Sequence, residues 1–352
     1  MNKLKKFLTV IFSSIIIILM FGCSKNETIK SIEFGDDLKF TKHENYITID
    51  LENSSELIKE KHKKLSETLS NTEILNEIVA LTTTTANILY EAGITPIGAP
   101  ESESLLSAIK ENQYKLNNSN EFNKDKILNI GSALSPNTEL IIELNPKLAL
   151  YSDAFNHADY ISTLENANIK VNALGQSDYT DMFILIDVLG KLYNYQNEQV
   201  NNLMKNMVSS LEQTNTLIDN NKTEEKKTIA ILQIAGDSIL VNGDNSVIGR
   251  ITKSINLENI FASSQNVELN QEALISGNPD YIIYYTHGTS DDVLNIFNEK
   301  LIDPNGNFYI LDAVKNGRAF PIKDDNNKIK FIGSVDLKIV DIIQFLAKKI
   351  YE

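Results

Sequence analysis

Between Met182 and Ile218 the chain carries no strand signal, and this gap constrains the fold more than any other feature of the sequence. Apolar residues recur there at helical spacing: Met182, Leu185, Leu189 and Leu192, then Val200, Leu203, Met207, Leu211 and Ile218. Gly190 and the segment from Tyr193 to Tyr195 divide the stretch into a shorter helix and a longer one from about Tyr195 to Asn220. At about 1.5 Å per residue the longer helix spans on the order of 40 Å, the width of a domain. On both sides β-branched runs alternate with helical patterns, which signals βαβ units and parallel sheets. The predicted fold is α/β, with two lobes of parallel-rich sheet joined by one long connecting helix. About 330 residues beyond the leader also exceed the usual size of one domain.

The predicted divisions are a leader over 1–22, a tether and N-terminal extension over 23–76, a first lobe over 77–180, a connecting helical segment over 181–222 and a second lobe over 223–352. The extension holds a short alternating run, "YITIDL", and a charged helical segment, "SSELIKEKHKKLSETL". In the first lobe a threonine cluster in "ALTTTTANILYEAG" is placed to cap a helix that stops at Gly93. In the second, "TIAILQIAG", "SILVN", "DYIIYY" and "RAFPI" supply strands, and "DLKIVDIIQFLAKKIYE" a last helix.

The leader has three lysines (Lys3, Lys5 and Lys6), an apolar core from about Phe7 to Phe21, and then Gly22 and Cys23. This reads as an export signal; an uncleaved membrane anchor is the rival reading, and the apolar stretch is short for a span of about 20 residues. Cys23 is the only cysteine, so no internal disulfide is available. Without the three leader lysines the formal net charge falls from −14 to −17. Such an acidic chain with no basic stripe is a poor partner for nucleic acid.

The two lobes repeat a phrase. "TELIIELNPKLALYS" places Glu139, Ile142, Asn145 and Pro146 before a strand; "QEALISGNPDYIIYY" places Glu272, Ile275, Asn278 and Pro279 before another. The interval from glutamate to Asn-Pro is the same in both. Proline ends a helix and biases its predecessor to extended geometry, which predicts helix, stop, strand in each copy. The matched glutamates are not required by that local chemistry.

A small residue before the lone Cys23, then "GSALSPNTELIIELNPKLALYS", the long helix, "NSVIGRITKSINLENIF", "QEALISGNPDYIIYY" and "AVKNGRAFPI" resemble, in this order, the class III substrate-binding lipoproteins of ABC importers for iron-siderophores, heme and cobalamin. The resemblance covers most of the chain from about Ile78. It implies a cargo cleft between the two lobes, a lipid on Cys23, a chain held on the outer face of the cytoplasmic membrane of a Gram-positive bacterium, a permease and its ATPase as partners, and transport rather than catalysis. It also implies that Glu139 and Glu272 dock onto basic pockets of the permease. One carboxylate per lobe reads lobe geometry, because both ion pairs form together only at the right separation.

In open parallel sheets ligands sit beyond the carboxyl ends of the strands. His287 follows "YIIYYT" directly and so belongs at the mouth of the cleft, with Tyr285 beside it. The first lobe's share is Thr82 to Thr85 with Thr83 in the middle, Ala99 to Ser102, Ala133 to Ser135 with Leu134, and Tyr151 to Asp153. Of the two arginines, Arg318 is expected at the surface, and Arg250 has no assigned place. "DYIIYYTHGTSDDVLNIFNEKL" is similar to the heme-receptor lipoproteins of Gram-positive iron-regulated surface systems. There the residue at the position of His287 is an axial iron ligand, and a neutral imidazole suits heme iron. That subgroup carries a methionine ligand where this chain has Leu134, which has no lone pair to give. Three arrangements stay open: five-coordinate iron on His287, a tyrosine such as Tyr151 or Tyr285 as a further ligand, or another chelate that His287 only contacts.

Heme is therefore the first expectation for the cargo, and a ferric siderophore or cobalamin the alternative. His43, His62 and His157 do not make the clustered set that a bare zinc or manganese ion needs. A chelatase-like enzyme is the remaining rival. Against it, the chain has no cysteine cluster, G-x-S-x-G or P-loop.

Overall fold

The computed structural model describes residues 30–100, 127–153, 158–286, 292–324, 330–331 and 335–352. No helix among them is long and apolar enough to cross a membrane. Residues 30–75, expected as a tether with some added structure, are folded. β1 (Lys30–Phe34), β2 (Leu38–Lys42) and β3 (Ile47–Ile49) form an antiparallel sheet in that order, followed by α1 (Glu56–Thr68) and a short α2 (Thr72–Leu75). Ile32, Phe34, Leu38, Phe40, Ile47 and Ile49 alternate onto the buried face.

The first lobe runs β4 (Ile78–Ala80), α3 (Thr83–Glu91), β5 (Gly98–Ala99), β6 (Leu128–Asn129), the hairpin β7 (Gly131–Ser132) and β8 (Ser135–Pro136), α4 (Thr138–Leu144), β9 (Leu148–Ser152), α5 (Ala158–Asn166) and β10 (Val171–Leu174). Its sheet has the order β10-β9-β4-β5-β6, and every pair is parallel.

The helical segment is two helices, α6 (Thr180–Leu192) and α7 (Glu198–Asn221). α6 is buried continuously from Thr180 to Gly190, its two aspartates, Asp181 and Asp187, included. α7 buries one stripe, Val200, Met204, Met207, Val208, Leu211 and Ile218, and is about 36 Å long. Asn194 and Tyr195, at φ 48° and 55°, make the break between the helices. Tyr195 N donates to Gly190 O at 2.7 Å, and a β-carbon on Gly190 would lie 3.1 Å from the Tyr195 ring, so glycine is what lets the ring close over the turn.

The second lobe contains β11 (Lys227–Ala235), β12 (Ser238–Asn242), α8 (Val247–Ser254), β13 (Leu257–Asn259), β14 (Gln265–Glu268), α9 (Gln271–Gly277), β15 (Tyr281–Thr286), α10 (Asp292–Ile302), a 3₁₀ turn (Asn307–Ile310), α11 (Asp312–Lys315), β16 (Ala319–Pro321) and α12 (Ile339–Tyr351). Its sheet runs β14-β12-β11-β15-β16, with β13 also on β11; β11, β13, β15 and β16 are parallel, and β12 and β14 antiparallel. All six residues of β15 are buried, as expected of a parallel strand covered on both faces. One hydrophobic cluster joins the inner faces of both large sheets to α6, α7, α12 and the N-terminal sheet, while each lobe keeps a smaller cluster on its other face.

The repeated phrase is repeated in three dimensions. Asn137 caps α4 by accepting from Leu140 N at 3.0 Å, and Asn270 caps α9 by accepting from Ala273 N at 3.1 Å. Each glutamate is the second helical residue, and Pro146 and Pro279 are buried as the chain enters β9 and β15. The geometry before proline corrects the sequence expectation. Asn145 and Asn278 are left-handed, at φ 46° and 33°, and not extended. Asparagine tolerates that conformation, so one residue both terminates the helix and satisfies the restriction that proline imposes on the right-handed region.

Candidate functional site at the carboxyl ends of the strands

In the first lobe, hydroxyls hold the strand exits together. Thr82 Oγ1 accepts from Thr85 N at 3.2 Å and donates to Thr85 Oγ1 at 2.8 Å; Gln176 Nε2, just past β10, donates to Thr85 Oγ1 at 2.8 Å. Thr82, Thr85 and Gln176 are buried; the two threonine hydroxyls are bonded to each other, whereas Gln176 Oε1 has no hydrogen-bond partner among the described residues. Thr83 is half-buried in the first turn of α3. At the end of β9, Asp153 accepts from Gln176 N at 2.7 Å and from Ser177 Oγ at 3.0 Å, which ties the β9 and β10 exits. Tyr151 is half-buried and packs against the outer cluster of this lobe.

Leu134 stands differently. It is at the tip of the two-residue hairpin between β7 and β8, just past β6, and is 83% exposed. The loop under it is fixed: Ser135 N donates to Ser132 Oγ at 3.1 Å, and Tyr160 Oη donates to Leu134 O at 2.8 Å.

In the second lobe, Tyr285 is 5% exposed; its hydroxyl donates to Gln233 Oε1 at 3.2 Å, and its ring meets Phe331 edge-on at 4.9 Å. Burial pushes its phenol above the ordinary range. A phenolate ligand there would need deprotonation against that burial, so Tyr285 suits a wall better than an iron ligand. The polar Gln233 inside the apolar run "TIAILQIA" was the sequence signal for this pair. Asn242 Nδ2 also reaches Gln233 Oε1, at 3.5 Å.

His287, Ser102 and Cys23 lie outside the described residues, as does His157. His62 and His43 are elsewhere: His62 is buried against Asp187 at 2.9 Å, and His43 meets Thr48 Oγ1 at 3.1 Å. Among the described residues no group of three or more His, Cys, Asp and Glu is set to hold a bare metal ion. Arg318, expected at the surface, is half-buried with its guanidinium 5.7 Å from the Tyr281 ring centre. Glu139 and Glu272 are exposed, each at the head of its helix.

Two parallel-rich sheets on a shared helical spine make a two-lobed α/β fold, of the kind in which ligands sit beyond the carboxyl ends of the strands. The chain belongs to the periplasmic binding protein family, whose model matches residues 78–325. It is thus a substrate-binding protein of the ABC-importer type. It is 26% identical over 263 residues to the high-affinity heme uptake system protein IsdE of Staphylococcus aureus, covering 71% of this chain and 79% of that one. Among solved structures, an ABC transporter substrate-binding protein from Listeria monocytogenes superposes with a TM-score of 0.60 at 25% identity, over 77% of this chain and 97% of the other. Staphylococcus aureus IsdE complexed with heme gives 0.57 at 21% identity, over 78% and 99%. The iron-uptake system-binding protein FeuA of Bacillus subtilis gives 0.56 at 17% identity, over 79% and 95%.

Proposed function

We propose that the protein is a lipoprotein, anchored through Cys23 on the outer face of the cytoplasmic membrane, that captures heme and delivers it to an ABC permease driven by its ATPase. The observation that carries this reading is the sequence relationship to a heme uptake protein; Leu134, exposed on a tied hairpin past the strand ends, stands where the resembling subgroup has its methionine ligand and departs from it. Leucine gives the porphyrin an apolar contact in place of a sixth iron ligand. His287, the next residue after the fully buried β15, is the proposed axial ligand, and Tyr285, Tyr151, Thr83 and Ser102 are proposed to line the cargo.

Glu139 and Glu272 are the proposed permease contacts. Their matched place in two structurally equivalent helices, exposed and one per lobe, suits a pair read together. Calorimetric titration of the chain lacking residues 1–23 with hemin, a ferric siderophore and cobalamin tests the reading. Saturable binding of hemin alone at one per chain is expected. Tight binding of either other chelate with none of hemin would overturn it and favour the alternative cargo.

A further inference from the structure

The N-terminal hairpin lies outside the residues matched to the family, yet it is seated where the two lobes meet. Gly35, in its turn at φ 59°, approaches both lobes so closely that a β-carbon would lie 2.7 Å from Ser254 Oγ of α8 and 3.2 Å from Tyr179 Oη, just before α6. Those two hydroxyls are themselves bonded at 2.8 Å, joining the first lobe's exit to the second lobe. Phe34 meets the Tyr179 ring edge-on at 6.0 Å.

Charge follows the same path. Arg250 of α8 lies 3.2 Å from Asp37 in the hairpin turn and 2.8 Å from Asp178 at the first lobe's exit. The Asp178 contact is electrostatic, since the Arg250 Nε–H is not aimed at the oxygen. Asp178 is nearly fully buried and also has Lys61 of α1 at 3.5 Å, so the extension reaches this carboxylate by a second route. Two further contacts fix the hairpin to the long helix: Lys42 to Glu212 at 2.7 Å, and Asn215 Nδ2 donating to Glu33 O at 2.7 Å.

We propose that the hairpin of residues 30–42 is a brace wedged at the junction of the lobes, which fixes their angle, with Arg250 as the residue that binds hairpin, first lobe and second lobe together. A hairpin that only covered core would need neither the steric contact with both lobes at Gly35 nor a cation shared between them. The proposal rests on the two-lobe fold and not on the identity of the cargo.

The test is the distance distribution between spin labels on the full-length chain in detergent, with Cys23→Ser and the exposed pair Glu143→Cys and Ser276→Cys, one per lobe. The otherwise unaltered chain is expected to give one narrow distribution. Gly35→Val, which drives the turn out while leaving Arg250 and Asp178 in place, and Arg250→Met are each expected to widen it at least twofold with the circular dichroism spectrum retained. An unchanged width in folded Gly35→Val would overturn the brace, and an unchanged width in folded Arg250→Met would overturn the role of Arg250. If Gly35→Val does not fold, Asp37→Asn decides: widening is required, and an unchanged distribution refutes the proposal.

Discussion

Replacing Asp187 by alanine strikes the join between the N-terminal extension and the spine of the molecule. Asp187 is on α6 and 4% exposed. Its Oδ1 accepts from Ile49 N of β3 at 3.0 Å, and its Oδ2 from His62 Nε2 of α1 at 2.9 Å. A carboxylate only accepts, so the His62 proton sits on Nε2. Alanine leaves a buried amide and a buried imidazole without an acceptor, at about 1–3 kcal/mol each. The combined loss is about 3–5 kcal/mol, in line with breaking a buried pair from one side and large against a total stability of about 5–15 kcal/mol. Urea unfolding followed by far-ultraviolet dichroism measures it. Adding His62→Ala to Asp187→Ala is predicted to cost less than the sum of the single losses, because the imidazole is no longer stranded. A loss below about 1 kcal/mol for Asp187→Ala would mean that the amide and the imidazole are not left stranded, since two unpaired buried groups cannot be that cheap.

Burial pushes the Asp181 carboxyl up to about 6 despite Lys61 at 2.7 Å. The folded chain therefore takes up a proton between about pH 4 and 6, and this contribution, present below the unfolded value, is lost as pH rises through 6. Stability relative to Asp181→Asn is expected to fall across that window by at most about 3 kcal/mol, as read by urea melts at stepped pH; a rise across it would contradict the burial argument. A strain carrying Glu139→Ala and Glu272→Ala is expected to lose most heme import while the purified variant still binds hemin. Normal import would dismiss the docking assignment.

The alternation around a strand-free gap was enough to anticipate two lobes and a helical spine, because βαβ periodicity is local. The copies of Glu-x₅-Asn-Pro likewise marked two equivalent helix ends, although not the left-handed asparagines that make them. The hairpin of residues 30–42 was missed despite a visible signal: Ile32 and Phe34 alternate with Leu38 and Phe40 around Gly35-Asp36-Asp37. Its charged intervening residues made it look like tether. The junction of Asp37, Asp178 and Arg250 was beyond reach, since Arg250 is 213 residues from Asp37 and no period links them. Of the candidate site, strand ends were legible and burial was not. A tyrosine near the end of a doubly covered strand faces core or cargo according to which helices cover it, and the packing of Tyr285 on Gln233 and Phe331 depends on that tertiary choice.

His287 is the proposed axial ligand of the heme iron. Hemin titrated into the chain lacking residues 1–23, read by absorbance beside His287→Ala and Leu134→Met, tests it most directly. A saturable Soret band at one heme per chain is expected, lost or shifted in His287→Ala and moved toward a six-coordinate spectrum in Leu134→Met. A Soret band identical in wild type and His287→Ala, or no saturable band in the wild type, would contradict it.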